Sequence, residues 1–263
     1  MYRYRLTLEY DGGPFAGWQR QVNGDSVQAT IEAAVARLTG EIVEVVAAGR
    51  TDAGVHATGQ VAHLDLTRAL DPFRLAEGLN FHLRPAPIAV LAAAATSPPF
   101  HARFSAIGRR YRYRVSTRRA PPALARGQVW HLGRPLDPIR MGEVAVGLCG
   151  RHDFSGFRSV HCQAASALRT LDRLAVLPRD EELWIEADAR SFLHNQVRIM
   201  VGTLVQAGLG RWSVARALKA RDTGRRADAG QTAPPQGLCL TGVAYPAEDS
   251  ADLDAVGDPV DEE

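Results

Sequence analysis

Within the first hundred residues the hydrophobic period switches between two and 3.6 in a fixed order, and that order leaves few folds open. Residues 2–12, YRYRLTLEYDG, alternate and end in a turn, as a strand does. Val27, Ile31, Ala34, Val35 and Leu38 then recur at helical spacing. Asp25 stands where it would cap that helix, with Gln28 reaching back, and Gly40 lies just beyond its end. EIVEVVAA (41–48) reads as a second strand and GQVAHLDL (59–66) as a third. DPFRLAEGLN (71–80) reads as a short helix with Pro72 in its first turn. IAVLAAAATS (88–97) is a fourth strand, stopped by Pro98 and Pro99. Strand, helix, strand, strand, helix, strand is the split arrangement of a ferredoxin-like (RRM-like) unit.

The order begins again at HARFSAIGRRYRYRVSTRRAPP (101–122), whose YRYRV echoes the YRYRL of residues 2–6. DPIRMGEVAVGLCG (137–150) reads as a capped helix, ALRTLDRLAVL and ELWIEADA as paired strands, and SFLHNQVRIMVGTLVQAGLG (191–210) as a helix with an apolar stripe. WSVARALKA is a further helix, and GLCLTGVAY (237–245) closes the sheet. The expectation is an α+β protein of two ferredoxin-like/RRM-like units, 1–100 and 101–246, their antiparallel sheets side by side around a central cleft. Residues 247–263, AEDSADLDAVGDPVDEE, form a tail that is disordered by composition.

Charge separates these regions. The tail holds eight acidic and no basic residues, so the preceding body carries 31 basic against 21 acidic residues, a net of +10. Of the 31 basic residues only Lys219 is lysine. Arginine suits bidentate phosphate contacts and stacking on bases. A GC-rich genome explains part of that bias, but not the clustering between Arg103 and Arg119. There, in an extended strand, Tyr111 and Tyr113 share one face while Arg112 and Arg114 share the other. One aromatic and one cationic face fits a nucleic-acid binder; a solvated edge, or a face turned into the core, fits the same pattern.

The densest chemistry stands in GRTDAGVHATGQVAH, from Gly49 to His63. Arg50 and Asp52 are two apart, so on an extended segment they point the same way and Thr51 points back. A carboxylate beside a guanidinium is held charged, which suits a nucleophile or a base rather than a general acid. The same residues also suit an Asp that ties down its own loop, and the pattern alone leaves both open. Asp52, His56 and His63 make at most a weak metal set, with no HExxH or CxxC nearby. Walker, G-x-G-x-x-G and G-x-S-x-G motifs are all lacking, which argues against nucleotide cofactors and a serine hydrolase. Cys149, Cys162 and Cys239 are odd in number and far apart, as in a reducing compartment. With no apolar run of membrane length and no signal-like N-terminus, the expectation is a cytoplasmic protein with no membrane span.

These stretches together resemble a known family, the bacterial tRNA pseudouridine synthases that act on the anticodon stem-loop. The resemblance covers roughly residues 2–246 and is carried by YDGGPFAGWQRQ, GRTDAGVHATGQVAHLDL, FHARFSA, RRYRYR, HDFSGFR, FLHNQVRIMVG and GLCLTGVAYP. It implies that Asp52 is catalytic and that Arg198 is its basic partner. It further implies that Tyr111 stacks on the target uracil, that Arg50 helps extract the base, and that Leu238 lines the pocket. It implies isomerisation of uridine to pseudouridine at tRNA positions 38, 39 and 40, no metal or organic cofactor, and a homodimer in which one tRNA touches both subunits. Cys239 stands where members often carry Tyr, and Asn195 and Gln196 where His is common; the acidic tail is not a family feature.

Two other readings compete. A non-catalytic RNA-binding module uses the tyrosines and arginines but leaves Arg50 and Asp52 idle. A nucleoside hydrolase wants two carboxylates about the scissile bond, and Asp153 is the distant second candidate.

Overall fold

The computed structural model describes residues 1–22 and 24–247. The tail assigned to 247–263 thus lies, apart from its first residue, outside the described residues. Among them the chain forms ten strands and five helices: β1 Tyr2–Tyr10, α1 Val27–Thr39, β2 Val46–Ala47, β3 His56–Leu66, α2 Pro72–Leu83 and β4 Ile88–Thr96 in the first half. The second half holds β5 Gly108–Ser116, β6 Trp130–His131, α3 Pro138–Leu148, β7 Gly150–Asp153, β8 Leu168–Arg179, β9 Glu182–Ala189, α4 Gln196–Gly208, α5 Val214–Thr223 and β10 Leu238–Ala244. No helix among the described residues is long and apolar enough to cross a membrane.

The strands join in one sheet, ordered β4-β1-β3-β10-β5-β9-β8-β7, with β2 on β3 and β6 on β5. Each half repeats one pattern. In β4-β1-β3-β2 and again, leaving out the short β6 and β7, in β10-β5-β9-β8, the fourth, first, third and second strands lie side by side. The two YRYR strands, β1 and β5, hold the same place in each half. The halves meet where β10 pairs in parallel with the start of β3, at Cys239↔His56 and Leu240↔Ala57.

The strand expected at 41–48 shrinks to Val46–Ala47. β10 pairs with the beginning of β3, and β2 further along the same edge, at His63 and Ala62. Before β2, the Val45 N–H is already taken by the buried carboxylate of Glu32, at 3.0 Å. Between β2 and β3 the edge forks, and the segment from Gly49 to Val55 runs through the fork.

Capping follows local hydrogen bonds. Ser26, not Asp25, caps α1, its hydroxyl accepting from the Ala29 N–H. Asp71 and Asp137 cap α2 and α3, each followed by a proline in the first turn. The helix expected at 191–210 begins only at Gln196, because Asn195 takes a left-handed φ of 64° and turns residues 191–195 out of the helical path.

The two faces of β5 also differ from the picture of a nucleic-acid binder. Tyr111 and Tyr113 are 9% and 0% exposed and face the core. Arg110, Arg112 and Arg114 meet Asp188, Glu186 and Glu182 of β9 at 3.3, 2.9 and 2.8 Å. Arg112 also stacks over Trp184, 4.2 Å from the ring centroid. This face is a cross-strand ion-pair ladder, not a free cationic surface, because β9 supplies a carboxylate for each of these guanidiniums.

Candidate active site

The segment from Gly49 to Val55 is held against the chain from Gly12 to Trp18. A short antiparallel bridge joins Asp52 to Gly17, and the Trp18 N–H donates to the Thr51 carbonyl at 3.0 Å. The approach needs glycine: a Cβ on Gly17 would stand 2.8 Å from the Thr51 carbonyl oxygen, and one on Gly12 would stand 2.0 Å from that of Val55. The Val55 N–H closes a turn on the Asp52 carbonyl at 3.1 Å.

Side chains alternate along this extended run. Thr51 is buried and its hydroxyl pairs with the Tyr10 phenol at 2.9 Å. Burial pushes that phenol up to about 12, although hydrogen bonds with Thr51 and Gln60 oppose the rise. Arg50 is exposed and Asp52 half-exposed, and both line a cleft of about 1260 Å³. Among the described residues Arg50 has no carboxylate partner.

Asp52 is met from the other half of the molecule. Arg198, on α4, brings Nη1 to 3.2 Å from Asp52 Oδ2. The guanidinium is fixed on two further sides, its Nε donating to the Ala233 carbonyl at 2.8 Å and its Nη1 to Asn195 Oδ1 at 2.7 Å. The residue whose backbone starts α4 thus also holds the arginine. His194, in the turn before α4, places Nε2 at 3.3 Å from Asp52 Oδ1. Nothing in the residue pattern singles out His194; its only signal is its place inside FLHNQVRIMVG.

Tyr111 and Leu238 complete the wall beside Asp52. Tyr111 meets Phe192 edge-on at a centroid distance of 5.3 Å. Burial raises its phenol above the ordinary range, with smaller contributions from Tyr10 and Asp52, so the ring stays neutral. Leu238 starts β10 opposite Tyr113 and is 6% exposed. The residues Asp52, Arg50, Tyr111, Arg198 and Leu238, spread over the 189 positions from 50 to 238, therefore line one cleft.

The two nearby histidines have other tasks. His56 Nδ1 accepts from the Gly12 N–H at 3.1 Å, and its Nε2 meets the Gly127 carbonyl at 2.8 Å. His63 Nδ1 accepts from the Ala102 N–H at 3.2 Å, and burial, then Arg3, pushes its imidazole down to about 4. Among the described residues no three His, Cys, Asp or Glu side chains converge as metal ligands. Asp153 lies on β7, the last strand of the sheet, with β5, β9 and β8 between it and β10; its Oδ1 accepts from the Ser155 N–H. It is not the second carboxylate a nucleoside hydrolase would need beside Asp52.

Charge in the cleft is one-sided. Arg50, Arg103, Arg109, Arg169, Arg190 and Arg198 line it, against the acids Asp52 and Glu44. Among the described residues only Arg198 of these arginines is paired with a carboxylate. The arrangement can bind a polyanion and present one oriented carboxylate to it.

Comparison with known proteins gives the family. A family model described as tRNA pseudouridine synthase matches residues 7–105 and 144–246. A tRNA pseudouridine synthase A of Cereibacter sphaeroides is 56% identical over 255 residues, covering 94% of this chain and 98% of that protein. The tRNA pseudouridine synthase A of Rhodospirillum rubrum is 52% identical, covering 95% of this chain and 90% of its own length. That of Maricaulis maris is 51% identical, covering 94% and 99%. Matched over most of its length by the family model and by these relatives, the chain is an enzyme of the tRNA pseudouridine synthase family.

Proposed function

We propose that the chain isomerises uridine to pseudouridine at positions 38, 39 and 40 of the tRNA anticodon stem-loop, with Asp52 as nucleophile or base. The observation that carries this reading is the Arg198–Asp52 contact of 3.2 Å at the floor of an arginine-lined cleft, in a chain of this family. The overall change balances without an added reagent: the N1–C1′ bond breaks, a C5–C1′ bond forms, and a proton leaves C5 while one is gained at N1.

The target uridine must leave its stack first, at a cost of a few kcal/mol. Tyr111 offers a neutral ring for the extracted uracil, worth about 1–3 kcal/mol. Arg50, unpaired at the rim, fills the vacated space or holds the phosphate. Asp52 then attacks C1′ or takes the C2′ proton, while Arg198 and His194 orient its two oxygens. Leu238 keeps the floor dry, which strengthens the pairing. The same reading gives two units, 1–100 and 101–246, a homodimer with one tRNA across both subunits, and a cytoplasmic protein. It rests for these on the repeated strand order and the family's motifs.

The test is Asp52→Asn, which keeps size and most hydrogen bonding but removes the charge. The expected outcome is no detectable pseudouridine in unmodified tRNA, mapped by nucleotide, with tRNA affinity and melting temperature near wild type. Retention of a tenth of the wild-type rate would sink the assignment. A large fall in melting temperature would instead make Asp52 a structural loop anchor.

A further inference from the structure

One aromatic in the cleft has no part in the chemistry above. Phe104 is 72% exposed, yet it is not a loose side chain. His101 lies against it with ring centroids 4.4 Å apart and planes tilted by 34°. The Arg103 guanidinium carbon is 5.6 Å from the Phe104 ring centroid. All three residues line the cleft that holds Asp52.

The turn that carries them is tightly bonded. The His101 N–H donates to Ser105 Oγ at 3.0 Å, and the Ser105 N–H returns to the His101 carbonyl at 2.9 Å. The N–H groups of Arg103 and Phe104 both point at His101 Nδ1, at 3.2 and 3.3 Å. Two donors on Nδ1 require its lone pair, so the ring is neutral and its proton sits on Nε2. Burial, with Arg3 next in weight, lowers the His101 pKa and favours the same form. His63 backs His101 from the sheet side at 4.7 Å, and Arg109 grips the Arg103 carbonyl at 2.8 Å. A large apolar ring set against His101 on a bonded turn and left open to the cleft has less ordering to lose on binding.

We propose that the His101–Phe104 stack is a second base-binding subsite, which receives an unpaired nucleobase of the tRNA beside the extracted uridine. Flipping a uridine leaves its neighbour with one stacking face uncovered, and a neutral aromatic platform replaces that face for any base. Arg103, at the ring, and Arg109, behind it, put positive charge where the adjoining phosphates must run. An apolar protein surface would not be matched to this ring of arginines, whereas a base with its phosphate matches both parts.

The proposal rests on the tRNA reading, and the experiment separates the two. Wild-type protein is tested for pseudouridine formation in unmodified tRNA, and this alone judges the function. Dissociation constants are then measured with a stem-loop RNA carrying 2-aminopurine at the nucleotides flanking the target. Phe104→Ala is expected to bind roughly 5- to 100-fold more weakly and to abolish the 2-aminopurine quenching. Its kcat at saturating tRNA stays within about twofold. Phe104→Tyr restores both binding and quenching, whereas Phe104→Leu, of similar apolarity, does not. Equal affinity of Phe104→Ala and wild type overturns the subsite, as does full rescue by Phe104→Leu. A change of oligomeric state in Phe104→Ala, read by sedimentation, also overturns it and makes the ring a contact between copies of the chain. Should Phe104→Ala fold poorly, the Tyr and Leu variants still decide between stacking and plain apolar contact.

Discussion

Asp52 has a different partner on each oxygen, and their surroundings rank them. Arg198 is 15% exposed and anchored by Ala233 and Asn195, whereas the His194 side chain is 39% exposed. A fixed, shielded cation orients a carboxylate far better than a half-solvated ring. Arg198→Leu is therefore expected to lower kcat by about 10²–10³, the size seen when one preorganised charge partner is lost, with tRNA affinity within a few fold. His194→Gln keeps a donor toward Oδ1 and is expected to lower kcat by less than tenfold. Single-turnover rates at saturating tRNA, beside binding curves, measure both; a larger loss for His194→Gln than for Arg198→Leu would reverse the ranking. The Arg50–Thr51–Asp52 alternation was legible from sequence because an extended segment fixes side-chain direction, and Thr51 does turn inward to Tyr10. Arg198 was legible through the resemblance carried by FLHNQVRIMVG. His194 was not, because helical periodicity ran straight through residues 191–195, and only the left-handed turn at Asn195 brings the imidazole to Asp52.

At the scale of elements, the ladder between β5 and β9 makes stability depend on pH. Its hydrogen bonds with Arg114 hold the Glu182 carboxyl below its ordinary value. Burial pushes Glu186 up, but bonds from Arg112 and Arg173 outweigh it and leave that carboxyl lowered as well. A carboxyl lowered on folding adds stability that is fully present above the unfolded value of 4.5 and is lost as pH falls from there through the folded value. The pairs are partly exposed, so each is worth about 1 kcal/mol or less. Glu182→Gln with Glu186→Gln should therefore lower the melting temperature at pH 7. The gap from wild type should narrow below about pH 4.5; a constant gap from pH 7 to pH 3 would refute the ladder's electrostatic role. Long elements with strong alternation or periodicity, such as β1, β5 and α1, were legible because their own residues dictate burial. β6 and β7, of two and four residues, are too short to show a period. β2 was overread because Glu32, thirteen residues back, takes its ladder N–H. Ser26 displaced Asp25 as the cap because two adjacent good caps differ only in which side chain reaches the Ala29 N–H.

For the whole molecule, the repeat of one strand order in both halves could be inferred from the echoing YRYR strands. Their fusion into a single sheet could not, because β10 reaches β3 across more than 180 residues with only two paired positions. The β5–β9 ladder pairs its own arginines with acids, whereas among the described residues five of the six arginines lining the cleft have no carboxylate partner. Affinity for tRNA should then fall steeply with salt, by about 0.7–0.9 log units per log unit of salt for each phosphate neutralised. The eight acids of residues 247–263 oppose the body's net charge of +10. Acids in that number are expected to compete with tRNA for the cleft arginines through the field they add. Deleting residues 247–263 is expected to tighten binding about two- to fivefold near 50 mM salt. The gain should vanish near 0.5 M, where the screening length drops to about 4 Å. Full-length and truncated protein, titrated with one tRNA across that salt series, measure both effects. A flat response of the full-length protein would refute the positive cleft. Weaker binding on truncation would mean that the tail helps hold tRNA, and that its acids do not act as competitors for the arginines of the cleft.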